Sequence, residues 1–290
     1  VLLAVYIGFV VWASAKRLPV WENTLTLWND VIDKFDENTG SAEAWVNRGN
    51  YKYKQDDFPG ALSDYDNALK LNANLAEALT GRGVARRNLG DYNGALKDYN
   101  KAIEIKPKNA ETYSNRGVTK AKMNNFEDAI EDFNKALSFD STMTKAHSNK
   151  GSAYFKLGKM KPAIKSFNKA IALDPDYAEA YANRGSAYTS LGQYEQALND
   201  FTRAVQLRPD YVMGYMNRAI LYQSKLNNYE EAIKNCNKIV ELDPKNKHAY
   251  YIRGMSNINI GNKENGCKDL QMSLKLGYKG AAKDIEKHCR

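Results

Sequence analysis

Three hydrophobic patterns follow one another along the chain. Residues 1–15, VLLAVYIGFVVWASA, are almost wholly apolar and stop at Lys16 and Arg17. A bilayer-spanning helix needs about 20 apolar residues, so the run reads as a transmembrane helix truncated at its start. Trp12, Trp21 and Trp28, with the two cations, suit a membrane–water boundary. Two other readings stand beside this one. Ala13, Ser14 and Ala15 have the small-x-small form of a signal cleavage site, and a run of this length also suits a buried helix of a soluble domain. Residues 16–41 follow as a juxtamembrane segment. Within it, 21–35 (WENTLTLWNDVIDKF) carries Leu25, Trp28, Val31 and Ile32 at helical spacing. It predicts a short amphipathic helix, a degenerate half-repeat packed on what comes next.

From residue 42 the pattern recurs every 34 residues. Aligning Ala42, Ala76, Ala110, Thr144, Ala178, Val212 and Lys247 gives repeats 42–75, 76–109, 110–143, 144–177, 178–211, 212–246 and 247–280, with one extra residue near Asn227 and Asn228. The eighth position reads Gly49, Gly83, Gly117, Gly151, Gly185, Ala219 and Gly254. The twentieth reads Ala61, Ala95, Ala129, Ala163, Ala197, Ala232 and Gly266. Two columns of minimal side chains predict two helices crossing at close range. Aromatics fill the gaps beside them: Trp45, Tyr113, Tyr181, Tyr215 and Tyr250 in the first helix, Tyr65, Tyr99, Phe133, Phe167 and Phe201 in the second. Gly90, Gly158 and Gly192 suit the left-handed C-cap between helices. Pro107, Pro175, Pro209 and Pro244 end the second helix.

This pattern resembles the tetratricopeptide repeat (TPR) family over residues 42–280. The resemblance implies an all-α fold, a right-handed superhelical solenoid of about seven two-helix repeats with the first helices on its concave side. Residues 281–290 are then expected to form a polar capping helix. Lys52, Arg86 and Lys120 depart from the family, which usually has tyrosine there, and the last repeat carries Ser273 and Tyr278 in place of alanine and proline. The order of apolar run, Trp21, Leu27-Trp28 and repeats is similar to the junction in multi-span membrane proteins with C-terminal TPR arrays, some of them glycosyltransferases.

Binding chemistry is sought on the first helices. Their sixth position reads Asn47, Gly81, Asn115, Asn149, Asn183, Asn217 and Ile252. A carboxamide both donates and accepts, matching the N–H and C=O of an extended main chain. Asn47, Asn115, Asn149, Asn183 and Asn217 are therefore the candidate peptide-binding residues, as in similar asparagine ladders of TPR arrays; the structural alternative has them bonding the neighbouring helix. The seventh position is basic throughout: Arg48, Arg82, Arg116, Lys150, Arg184, Arg218 and Arg253. Sixteen residues on stand Asp64, Asp98, Asp132, Ser166, Asp200 and, with the insertion, Asn235, then Asp269. Arginine faces each acid and the lone lysine faces a serine, which predicts an ion pair inside each repeat rather than a ligand stripe. TPR domains that clamp a C-terminal carboxylate use a lysine at the fifth position. Here that position reads Val46, Thr80, Ser114, Ser148, Ala182, Met216 and Tyr251, which argues against chaperone-tail binding.

Charge and reactive side chains change this picture little. The net charge is +8, and the stretch from Val212 onward, with fourteen basic against eight acidic residues, holds most of the excess. Scattered lysines on helix faces are a solvated surface, so no nucleic-acid partner is expected. Cys236, Cys267 and Cys289 lack a CxxC spacing and read as buried or idle thiols; the alternative, a bridge between Cys267 and Cys289, requires an oxidising compartment. His147, His248 and His288 have no i, i+4 partner, so no metal site is expected, nor any cofactor or small-molecule substrate. No catalytic constellation assembles from these columns, and the chain is not expected to be an enzyme. The sequence reads as a membrane-tethered interaction scaffold holding an extended polypeptide. The alternative is the polypeptide-recruiting arm of a membrane glycosyltransferase whose catalytic part lies upstream. Lys16 and Arg17 favour cytoplasmic repeats, while the family resemblance and the signal-like cleavage site favour the exterior, toward which the balance leans.

Overall fold

The computed structural model describes residues 24–34 and 41–289. The apolar run at 1–15 and Trp21 lie outside them. Every regular element among the described residues is a helix, and none of these helices is long and apolar enough to cross a membrane.

The helices fall into two compact bodies divided between Ser141 and Thr142. The first holds α1 (Thr24–Lys34), α2 (Ala42–Lys54), α3 (Phe58–Leu71), α4 (Ala76–Asn88), α5 (Tyr92–Ile105), α6 (Ala110–Lys122) and α7 (Phe126–Phe139). The second holds α8 (Thr144–Lys156), α9 (Met160–Leu173), α10 (Ala178–Ser190), α11 (Tyr194–Leu207), α12 (Val212–Ser224), α13 (Tyr229–Leu242), α14 (Lys247–Asn259), α15 (Lys263–Lys275) and α16 (Ala281–His288). First helices thus begin at the residues that set the repeat register. Within each body, successive first helices approach one another: α2 with α4 and α4 with α6, then α8 with α10, α10 with α12 and α12 with α14. No comparable approach joins successive second helices. The first helices therefore form the tighter, inner layer of each body.

The small-residue columns explain the close crossing inside a repeat. At Gly185 an added Cβ would stand 2.8 Å from the Phe201 ring and 3.2 Å from the Ala197 carbonyl. Tyr65, Tyr99, Phe133, Phe167 and Phe201 are all fully buried beside these glycines. The sixth repeat solves the same packing differently: Cys236 takes the aromatic slot, and Ala219 replaces the facing glycine. A smaller knob leaves room for one extra methyl, so the two exceptions compensate each other. Burial pushes the Cys236 thiol up to about 12.

The turns between paired helices need a left-handed residue at one position. Gly90, Gly158, Gly192 and Gly261 provide it with φ of 87°, 71°, 76° and 85°. Asp56, Asn124 and Asn227 hold the same place with φ of 59°, 64° and 51°, the residue types that tolerate that region best after glycine. Asp57 and Asp91 then cap α3 and α5, accepting from the amides of Gly60 and Gly94 at 2.9 and 2.8 Å.

Both ends of the array carry a further helix. In α1 the side chains of Leu25, Trp28, Val31 and Ile32 are half-buried, and the helix packs on α2. At the far end α16 packs on α15, held by a disulfide from Cys267 to Cys289, where the sequence alone predicts idle thiols, and by the Tyr251 hydroxyl, which donates to Asp284 at 2.9 Å. The atypical residues of the last repeat serve this junction. Ser273 donates to the Lys247 carbonyl at 2.8 Å, and the Tyr278 ring packs against His248 and Tyr251.

Candidate peptide-binding face

The inner layer carries two candidate columns, and the structure gives them different work. Position seven is engaged by the scaffold. Arg48 grips Asp64 with two bonds of 2.9 and 2.7 Å, and Arg82 grips Asp98 at 3.0 and 2.6 Å. Arg116 with Asp132, Arg184 with Asp200 and Arg253 with Asp269 repeat the fork at 2.6–2.9 Å. All five carboxylates are buried. Arg218, facing Asn235 instead, donates to its Oδ1 at 2.7 Å. The guanidinium groups of Arg48, Arg116, Arg184, Arg218 and Arg253 also lie 4.6–5.6 Å from Trp45, Tyr113, Tyr181, Tyr215 and Tyr250, their own repeats' aromatics.

Two further roles of this network escape a reading of the sequence columns. The remaining arm of each arginine reaches back to the preceding repeat: Arg82 to Asp66, Arg116 to Asn100 and Arg184 to Asn168 at 2.7 Å, Arg253 to Asn237 at 2.8 Å. Arg48 uses Asn29 of α1 in the same way at 2.8 Å. One side chain thereby joins three helices. The unusual cations at position eleven are the second finding. Lys52, Arg86 and Lys120 each pair with the aspartate already held by the arginine, at 2.9, 2.8 and 2.9 Å. Tyr188 stands at that position in the fifth repeat. There, burial pushes the Asp200 carboxyl above its ordinary value against the pull of Arg184. In the fourth repeat Ser166 turns its hydroxyl to the Pro162 carbonyl at 2.9 Å. Burial, with Lys165 nearby, lowers the Lys150 ammonium.

Position six is much less committed. Asn47 and Asn115 in the first body, and Asn149, Asn183 and Asn217 in the second, are half-buried on first helices. Asn115 accepts from Arg87 at 3.3 Å and Asn217 donates to Ser186 at 3.5 Å, both long. The side chains of Asn47, Asn149 and Asn183 have no hydrogen-bond partner among the described residues. Gly81 interrupts the first body's run.

Profiles described as "Tetratricopeptide repeat" match residues 42–75, 110–143, 178–211 and 214–246, and one described as "TPR repeat" matches 83–124 and 151–192. The chain belongs to the tetratricopeptide repeat family. No curated protein sequence matches it. Among solved TPR structures, MamA is 31% identical, with a TM-score of 0.51 over 56% of this chain and 95% of that one. A tetratricopeptide repeat protein from Parabacteroides merdae is 21% identical, with a TM-score of 0.63 over 85% and 97%. YrrB, titled a TPR protein with an unusual peptide-binding site, is 23% identical, with a TM-score of 0.51 over 65% and 96%. The last two likenesses are ones of fold. As a TPR solenoid the chain has inner faces built from first helices, and its arginines are fasteners of that scaffold.

Proposed function

We propose that this chain is an interaction scaffold that holds an extended polypeptide on its first-helix faces by the main chain, through the asparagines at position six. The observation that carries the reading is the contrast between neighbouring columns. Every arginine at position seven is tied into the scaffold by two or three side-chain hydrogen bonds, whereas Asn47, Asn149 and Asn183 keep unspent donors and acceptors at half-buried sites. YrrB, a protein of the same fold, is itself described as having a peptide-binding site. The same reading tethers the chain to a membrane through residues 1–15 and places the repeats outside the cytoplasm. The Cys267–Cys289 disulfide supports the second point, since such bonds persist in oxidising compartments.

The test replaces Asn115, Asn149, Asn183 and Asn217 by alanine and titrates both proteins with a peptide selected by display against the wild-type chain. Each amide-to-backbone bond contributes about 0.5–1.5 kcal/mol, so the variant should lose about a hundredfold in affinity or more, with its melting temperature nearly unchanged. Asparagines that serve the scaffold behave oppositely: affinity holds while stability falls by about 1–3 kcal/mol per stranded partner.

A further inference from the structure

Each body has a recess between successive first helices, built from the same repeat positions. In the second body Ser152, Phe155, Lys156, Phe167, Asn183 and Ser186 line a space of about 170 Å³. Its counterpart in the first body, around Asn50, Tyr53, Tyr65 and Gly81, measures about 430 Å³. The larger space also extends to Lys106, Asn109 and Glu111, whose counterparts do not line the smaller one, and a paired exchange accompanies it. Where the second body has Phe167 with Asn183, the first has Tyr65 with Gly81, and a Cβ on Gly81 would fall 2.6 Å from the Tyr65 ring. Where the amide is missing, the Tyr65 phenol lines the recess. There the Tyr65 hydroxyl donates to Asn50 Oδ1 at 2.6 Å and keeps its own lone pairs for an incoming donor.

The rim is charged. Glu77 and Glu111 line it, both exposed and neither in an ion pair among the described residues. Lys54 and Lys106 line it too, also exposed. Burial pushes the Tyr65 hydroxyl above its ordinary value, and Tyr53, Glu77, Asp64 and Glu111 add to the rise. Glu77 and Glu111 also complement the starts of α4 and α6, as Glu43 and Glu179 do elsewhere. Here two such acids flank an aromatic-lined recess.

We propose that this recess receives a basic side chain, lysine or arginine, of the polypeptide bound to the first body, an assignment that rests on the peptide-binding function above. The aliphatic stem passes the half-buried ring of Tyr53, which attracts a cation, toward the hydroxyl of the buried Tyr65. The head donates to the Tyr65 oxygen and is neutralised by Glu77 and Glu111.

The experiment titrates the full chain with peptide pools that are random except for one fixed residue: lysine, arginine, phenylalanine, glutamate or alanine. Two variants accompany the wild type. Y65F/G81N copies the Phe167 and Asn183 arrangement that the chain already folds, and E77Q/E111Q keeps the shape while removing the charge. Helical circular dichroism and melting curves check that both are folded. Wild type should favour the lysine or arginine pools about tenfold over the alanine pool. Both variants should lose that preference; E77Q/E111Q should bind the alanine pool as wild type does, and Y65F/G81N, which adds an asparagine to the position-six column, at least as tightly. A preference for phenylalanine or glutamate, no preference at all, or variants that keep the basic preference would overturn the assignment. If wild type binds none of the pools, the peptide-binding function itself fails, and this assignment with it.

Discussion

The fifth repeat holds its buried carboxylate with one cation where the third uses two, and this difference sets a stability test. Asp200 receives only Arg184, whereas Asp132 receives Arg116 and also Lys120 at 2.9 Å. Both arginines make the same two-bond fork and the same reach to an asparagine of the preceding repeat. Replacing either by methionine removes equal numbers of bonds but leaves different residues behind. R184M strands a buried charge, at a cost of about 3–5 kcal/mol. R116M leaves Asp132 paired with Lys120, so its loss should be nearer the about 1.5–3 kcal/mol of hydrogen bonds to a charged group. Because repeat arrays open locally, amide hydrogen exchange in α10 and α11 for one variant, and in α6 and α7 for the other, reads the costs better than one global transition. The pH dependence adds a sign. The Asp200 carboxyl is raised in the folded chain, so its stabilising proton uptake is complete below its ordinary value of 3.8 and lost as pH rises through the folded value. Removing Arg184 leaves burial unopposed and raises the folded value further. The gap between R184M and wild type should therefore narrow as the pH falls from neutrality. Equal costs for the two variants, or a gap that widens on acidification, would refute the reasoning.

Two further outcomes probe the packing. Gly185→Ala should lower the urea midpoint by an amount equivalent to about 1–3 kcal/mol, because the new methyl meets the Phe201 ring at 2.8 Å and the Ala197 carbonyl at 3.2 Å; an unchanged midpoint would mean that the crossing gives way freely. Cys236, buried and with its thiol raised to about 12, should resist iodoacetamide in the folded chain at pH 8 and react once urea unfolds it, as peptide mass mapping would show.

How much of this was legible beforehand depended on whether a feature recurs. The Arg184–Asp200 pair could be read because two chemically complementary columns stand sixteen residues apart in repeat after repeat. The third arm of the same arginine could not, because Asn100 and Asn168 lie on second helices, where exposed asparagine looks like ordinary solvated surface. In sequence, Lys52, Arg86 and Lys120 are departures from the family pattern; their partners, the buried carboxylates, are set only by the packing of the two helices. Ala219 with Cys236 makes sense only as a pair, since each exception alone breaks a column. The recess at Gly81 shows in the sequence as a gap in the asparagine column. Its depth depends on the path of the Tyr65 side chain from the second helix beneath it, which periodicity does not encode.

In the proposed mode of binding, an asparagine on a first helix bonds the main chain of a bound peptide. A double-mutant cycle tests it most directly: Asn183→Ala on the protein, N-methylation of successive backbone amides on the display-selected peptide, and binding titrations of all four combinations. Methylation of one peptide amide should couple to Asn183→Ala by about 0.5–1.5 kcal/mol, with side-chain truncation at the same peptide residue showing no coupling. Coupling within error of zero at every peptide amide, with wild-type stability retained, would contradict it.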